Sequence, residues 1–254
     1  MKTLLYTLPP LMLIFLAAFS VTQDDMTAKE IVRKADENAQ GINSSYSEMT
    51  ITIVRPKWER EMSLKSWSKG NDFSMIYILT PVKDKGTIFL KRKKEVWNWL
   101  PTIGRSIKLP PSMMMQSWMG TDMTNDDIVR EASVIEDYDH TLVGEEKIEN
   151  RECYKIEMIP KEDAVVVWSK VIVYIDKTDF IQMRSEMYDE EGFLVNTLLA
   201  SDIKNMDDHL IATKLEVIPS DKEGNKTLMT INTIEFDIEI ADDFFTVANM
   251  KALK

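Results

Sequence analysis

The sequence predicts a mainly β chain of the α+β class, in which a large, strongly curved antiparallel sheet is covered by a few helices. Three observations predict it. Short alternating apolar runs separated by tight polar turns fill both halves of the chain. Helical signals are confined to one N-terminal stretch and one short central stretch. Many strands are apolar on both faces: Ile76 and Ile78 oppose Met75 and Tyr77, and Ile172 and Tyr174 oppose Val173 and Ile175. A sheet wet on one side alternates more cleanly. The excess apolar face must be covered by helices, closed into a barrel or reserved for an apolar ligand.

Residues 1–20 read as a secretory signal peptide. Met1 and Lys2 precede an apolar run over 4–19 that contains Pro9 and Pro10, and small residues around Ser20 precede Asp24 and Asp25. The run is short for a bilayer span, and no cysteine lies there to carry a lipid anchor. Residues 21–254 are expected to form a single exported domain, because no Pro-, Gly- or Ser-rich linker and no internal repeat divides them.

A helix comes first. Thr27 and Glu30 have the spacing of a capping box, in which each side chain satisfies the other residue's free backbone N–H. Ile31, Ala35, Ala39 and Ile42 recur at helical spacing and present one stripe to a core, with Gly41 near the stop. Strands are expected at Met49, Ile51 and Ile53, over 73–79, over 87–90 into the basic turn at 91–94, and over 96–100. In the second half they are expected at Tyr154, Ile156 and Met158, then over 165–175, 181–187, 193–200, 211–218 and 228–240. Between the halves, Ser112 is expected to cap a turn carrying Met114, Met115, Trp118 and Met119. Thr124 and Asp127 form a second capping box before Ile128.

The chemistry of catalysis is poorly supplied. His140 and His209 lack metal-ligand spacing, and neither a glycine-rich phosphate loop nor a nucleophile elbow is present. Asp126-Asp127 and Asp242-Asp243 sit where caps and turns use carboxylates. The methionines could attract copper(I), but no histidine or cysteine lies among them. No enzyme activity, metal or cofactor is expected. The net charge of −11 argues against nucleic acid and anionic lipid surfaces. Cys153 stands alone, so no internal disulfide forms, and its strand pattern predicts a buried thiol.

The most unusual stretch is 96–128, with three tryptophans and five methionines on a backbone broken by Pro101, Gly104, Pro110, Pro111 and Gly120. Such a segment is suited to an adaptable apolar surface, although large apolar side chains more often fill a core. Its motifs carry a family resemblance: Trp97-Asn98-Trp99-Leu100-Pro101, Gly104-Arg105, Lys108-Leu109-Pro110, and Ser117 through Asp122 with Asp126-Asp127. The chain resembles the outer-membrane lipoprotein-sorting proteins of the periplasmic lipoprotein-carrier superfamily, closest to the spirochaete-type branch.

The resemblance implies an unclosed half-barrel with an apolar concave face and helices as a lid. It implies a non-enzymatic periplasmic carrier for lipoprotein acyl chains or other lipids; a monomer is expected, and an inner-membrane transporter is a candidate partner. The alternative is a periplasmic sensor or interaction module partnered with an inner-membrane protein. Trp97, Trp99, Leu100, Met113, Met114, Met115, Trp118 and Met119 are then the candidate cavity residues. Gly104 and Gly120 are candidate hinges, and Arg105 and Lys108 are candidate headgroup or latch residues.

Overall fold

The computed structural model describes residues 26–41, 43–129, 133–164 and 166–253. The expected leader over 1–20 lies outside them, as does Val165. The observed fold is mainly β: a 13-stranded antiparallel sheet that does not close, with three α-helices.

Helix α1 spans Ala28–Gln40. The Thr27 backbone N–H donates to Glu30 Oε2 at 2.7 Å, and the Glu30 N–H donates to Thr27 Oγ1 at 3.3 Å, which completes the expected capping box. Gly41 ends the helix at a φ of +79°, in the left-handed region that glycine tolerates best. A Cβ there would lie 2.9 Å from Phe236 Cδ1.

The first half is a meander: β1 (Ser44–Arg55), β2 (Trp58–Lys69), β3 (Phe73–Thr80), β4 (Ile88–Arg92), β5 (Glu95–Leu100) and β6 (Arg105–Lys108). The second half is another: β7 (Tyr138–Ile148), β8 (Arg151–Pro160), β9 (Lys170–Asp176), β10 (Gln182–Tyr188), β11 (Leu194–Met206), β12 (His209–Pro219) and β13 (Lys226–Phe236). The halves join at the centre, where β1 pairs with β13. That leaves β6 and β7 as the two outer edges. After β6 the described residues 109–129 carry a 3₁₀ turn at Pro111–Met113 and helix α2 (Asn125–Val129), and residues 133–137 lead into β7. Helix α3 (Val247–Ala252) closes the described chain.

Several expectations shift. Strands β2, β6 and β7 were not among those expected; β2 and β7 are rich in charged residues, which masks their alternation. Strand β9 begins at Lys170, well after the run's start at 165. Ser112 caps no helix: Pro110 occupies the cap position of the 3₁₀ turn, and no side chain bonds there. The consecutive prolines and the left-handed Met119 and Gly120 keep this stretch from winding further.

The two-faced apolar strands are covered on both sides. On the convex face Met75, Tyr77, Ile88 and Leu90 pack with Phe245 and Met250 from the C-terminal segment and α3. On the concave face, Ile31, Val32 and Ala35 of α1 pack against Ile156, Val173 and Ile175. The connecting segment packs there against Ile51, Met62, Ile76 and Phe89. Cys153 is fully buried with Tyr174 and Met183, as a structural thiol should be.

Candidate functional site

Between α1, α2 and the concave face lies a cavity of about 500 Å³, within the range of small-molecule sites. Residues from β1–β4 and from β8–β13 line it together, so the sheet curves around it. Its greater part is apolar: Met49, Ile51, Met158, Val171, Val173, Met187, Leu198, Val217, Met229 and Ile231 face it. None of the eight residues proposed from sequence as cavity lining is among its walls.

Those eight divide by position. Trp97 and Trp99 lie opposite Leu90 and Ile88 on β4 and join the convex cluster beneath α3, on the other side of the sheet. Odd-numbered residues of β5 share that face, because successive side chains of a strand alternate. Leu100, half-buried, pairs with Arg105 at the β5–β6 turn. Met114 and Trp118 are buried in the concave core, and the Trp118 ring lies 5.5 Å from that of Phe89. Met119 packs against the same cluster, Met113 is half-buried and Met115 is exposed. Thus Met114 and Trp118 fill the β1–β5 end of the concave face.

A second depression, of about 710 Å³, borders Met115 and Gly120, but its other residues are mostly polar, including Asp189, Glu190 and Glu191.

Arg105 and Lys108, the candidate headgroup or latch residues, are not among the residues that line the cavity. Both are exposed on edge strand β6, and Lys108 pairs with Glu95 on neighbouring β5. Gly104, at a φ of +61°, makes the β5–β6 turn. The cations that hold the connecting segment are Arg55 and Arg60. Arg55 Nη1 lies 2.9 Å from Asp122 Oδ2, and its Nη2 donates to the Gly120 carbonyl at 2.9 Å. Arg60 donates to the Met119 carbonyl. Left-handed Met119 and Gly120 therefore turn two successive carbonyls toward two guanidinium groups. Asp122 also accepts from Thr227 Oγ1 at 2.7 Å, and its carbonyl accepts from Asn196 Nδ2 at 2.9 Å. Strands β1, β2, β11 and β13 thus anchor one short loop.

Helix α2 starts with the expected capping box. The Thr124 N–H donates to Asp127 Oδ2 at 2.7 Å, and the Asp127 N–H donates to Thr124 Oγ1 at 3.1 Å. Trp168 Nε1 donates to Asp127 Oδ1 at 2.7 Å, tying α2 to the second half of the sheet. Burial pushes the Asp127 carboxyl above the ordinary range.

At the α1 end the cavity turns polar. Ser45, Ser47, Ser66, Ser68 and Ser74 face it, with Lys91 of β4 and Asp36 of α1. Lys91 is buried, although the sequence places it at the head of a basic turn. Burial, with Glu37 nearby, raises the Asp36 carboxyl to about 6, and Lys91 pulls it down. Continuing the Met49–Ile51–Ile53 alternation backwards puts Ser47 and Ser45 on the same face, which was the signal available in sequence. Among the described residues no group of three or more His, Cys, Asp and Glu is placed to hold a metal ion. No described helix is long and apolar enough to cross a membrane.

Solved structures share this architecture. A DUF1329 family protein from Desulfovibrio piger is 24% identical with a TM-score of 0.80, over 88% of this chain and 97% of that one. A LolA superfamily protein from Nitrosomonas europaea is 24% identical with a TM-score of 0.77, over 88% and 99%. An outer membrane lipoprotein-sorting protein domain from Vibrio parahaemolyticus is 20% identical with a TM-score of 0.78, over 88% and 98%. No curated protein matches the chain in sequence. A family model described as "Uncharacterized protein" matches residues 70–252. The chain therefore belongs to the family that this model describes, and it has the fold of the LolA superfamily and outer membrane lipoprotein-sorting structures.

Proposed function

We propose that the protein is a non-enzymatic periplasmic carrier that holds acyl chains of a lipid or lipoprotein in the concave cavity, for transport or sorting to the outer membrane. The observation that carries this reading is the cavity itself: about 500 Å³ of space walled by apolar side chains under α1 and α2. The fold shared with structures named for lipoprotein sorting supports it. Removing an acyl chain from water gains about 0.8 kcal/mol per methylene, so a 16-carbon chain gains on the order of 10 kcal/mol before ordering costs. That holds a lipid between membranes without any chemistry.

Native mass spectrometry of gently purified protein, with a fluorescent fatty-acid displacement titration, tests the reading. Co-purifying lipid and saturable displacement are expected. Met229→Trp, which projects bulk into the cavity, should lower affinity for the fluorescent chain by about tenfold or more. Absence of both lipid and probe binding would overturn the proposal. Accelerated lipid transfer between vesicles is expected of a carrier; a lipid-responsive sensor would bind without speeding transfer.

A further inference from the structure

The turns at the two ends of the sheet differ in character. Neighbouring strands are antiparallel, so alternate connections emerge at the same end. The β1–β2, β3–β4, β5–β6, β10–β11 and β12–β13 turns share one end. A Cβ at Gly86 would lie 3.5 Å from Pro101 Cγ, and one at Gly224 would lie 3.3 Å from Pro56 Cγ, so neighbouring turns there touch. Four of these turns hold out a large apolar side chain: Trp58 is 51% exposed, Val82 90%, Ile103 55% and Phe193 69%. The turns of the opposite end, over 70–72, 93–94, 149–150, 177–181 and 207–208, carry no exposed large apolar side chain among the described residues. Turns ordinarily use Gly, Pro, Asn, Asp and Ser. Single exposed apolar residues are common on any surface, but a set confined to the turns of one end is not a random scatter.

The cavity approaches the surface at this same end. The polar depression lies among these turns, bordered by Arg55, Glu190 and Asp221, with exposed Met115 on its edge. Met123, Trp168 and Asn196 border both that depression and the apolar cavity. The end that carries the apolar tips is therefore one at which three side chains separate the cavity from the outside.

We propose that this end is a membrane-docking face, whose tips Trp58, Val82, Ile103 and Phe193 insert into the headgroup layer of a zwitterionic bilayer. The spacing of the tips selects a lipid surface. A protein partner or a second copy buries one contiguous patch, whereas a soft headgroup layer takes up separate side chains one by one. Tryptophan suits that layer, with an apolar body and a polar N–H. Exposed charges of both signs share the turns: Lys57 precedes Trp58, Lys85 follows Val82, and Glu190 and Glu191 precede Phe193. Headgroups that carry both a phosphate and an ammonium offer a partner to each sign. An anionic surface opposes Glu190, Glu191 and the net charge of −11. The proposal goes beyond the carrier reading, because insertion requires no cargo.

The test uses the chain over 21–254, since the apolar run over 4–19 would insert by itself. Insertion beneath phosphatidylcholine and phosphatidylglycerol monolayers is read as surface pressure, and partition onto vesicles of each lipid is read by flotation. Wild type should insert and should partition more strongly onto phosphatidylcholine at low salt. The variant combining Trp58→Ser, Val82→Ser, Ile103→Ser and Phe193→Ser should lose partition by about tenfold or more. Its thermal denaturation and its affinity for a fluorescent acyl probe in solution should match wild type, because the replaced side chains are exposed. Val82→Trp alone should strengthen partition. No insertion by wild type, partition unchanged in the four-site variant, or stronger partition onto phosphatidylglycerol overturns the docking face. Self-association without lipid that the four-site variant abolishes also overturns it, in favour of a second copy of the chain. Insertion that persists in a protein binding neither lipid nor acyl probe overturns the carrier reading alone.

Discussion

Arg55 and Asp122 form an ion pair at 2.9 Å across 67 residues of sequence, with side chains only 14% and 4% exposed. The pair joins the end of β1 to the segment between β6 and β7. At such burial, attraction between the two charges is little screened, but each has also given up its hydration. Arg55→Met strands the Asp122 carboxylate and should cost about 3 kcal/mol of stability in a urea titration, with faster hydrogen exchange over 117–125. Arg55→Met combined with Asp122→Leu should recover part of that loss. Unchanged stability and exchange in the single variant would mean that the pair does not anchor the loop.

The tryptophans of the central segment should separate by face. Trp118→Ala empties a fully buried site beside Phe89 and should cost about 3–5 kcal/mol in thermal or chemical denaturation. Trp97→Ala and Trp99→Ala loosen the convex cluster under α3, yet should leave affinity for a fluorescent acyl probe within about twofold, because sites across the sheet act independently. A tenfold loss of probe affinity in either variant would contradict their placement outside the cavity.

Asp36 sets a pH dependence of stability. Burial, helped by Glu37, raises its carboxyl from 3.8 to about 6. A raised folded-state value means that the folded chain holds the proton more tightly than the unfolded chain. The ionised carboxylate therefore costs stability above about pH 6, and that cost is relieved as pH falls from about 6 toward about 4. Asp36→Asn, neutral at every pH, should be more stable than wild type by roughly 2 kcal/mol at about pH 8, with the gap closing by about pH 4. Parallel denaturation curves across that window would refute it.

Gly41 ends α1 and brings its Cα against Phe236 of β13. Gly41→Ala places a methyl 2.9 Å from Phe236 Cδ1 on a left-handed backbone. A loss of about 1–3 kcal/mol is expected in denaturation, and Phe236→Leu should soften it by removing the clash.

Much of the architecture is legible from local pattern. The Thr27–Glu30 and Thr124–Asp127 boxes are short-range hydrogen-bonding rules, and the α1 stripe is a helical apolar period that holds at the buried Ile31 and Ala35, while Ala39 is exposed and Ile42 lies outside the described residues. The opposition of Ile76 and Ile78 to Met75 and Tyr77 follows from the two-residue period of a strand, and the structure places the two sets in separate cores. Strands β2 and β7 are less legible because their exposed positions carry Glu, Arg and Lys, which dilute the apolar signal over a short window. Lys91 reads as the first residue of a basic turn, yet β4 extends through it and turns it inward.

What the sequence determined by itself is therefore the sheet-rich class, the two runs of strands with a broken segment between them, and the alternation of faces along the strands with a clear apolar period. Only the tertiary structure decided which of the two apolar faces encloses empty space. Density of Trp and Met says that surface is buried, and burial is satisfied equally by a packed core and by a cavity wall. The difference depends on what stands opposite: α3 and Phe245 over Trp97 and Trp99, Phe89 against Trp118, and an unfilled gap before Met229, Leu198 and Val173. The alignment of Ser45, Ser68, Ser74 and Lys91 in one row across β1–β4 is likewise a product of register, assembled from four strands whose local patterns do not specify which residues become neighbours.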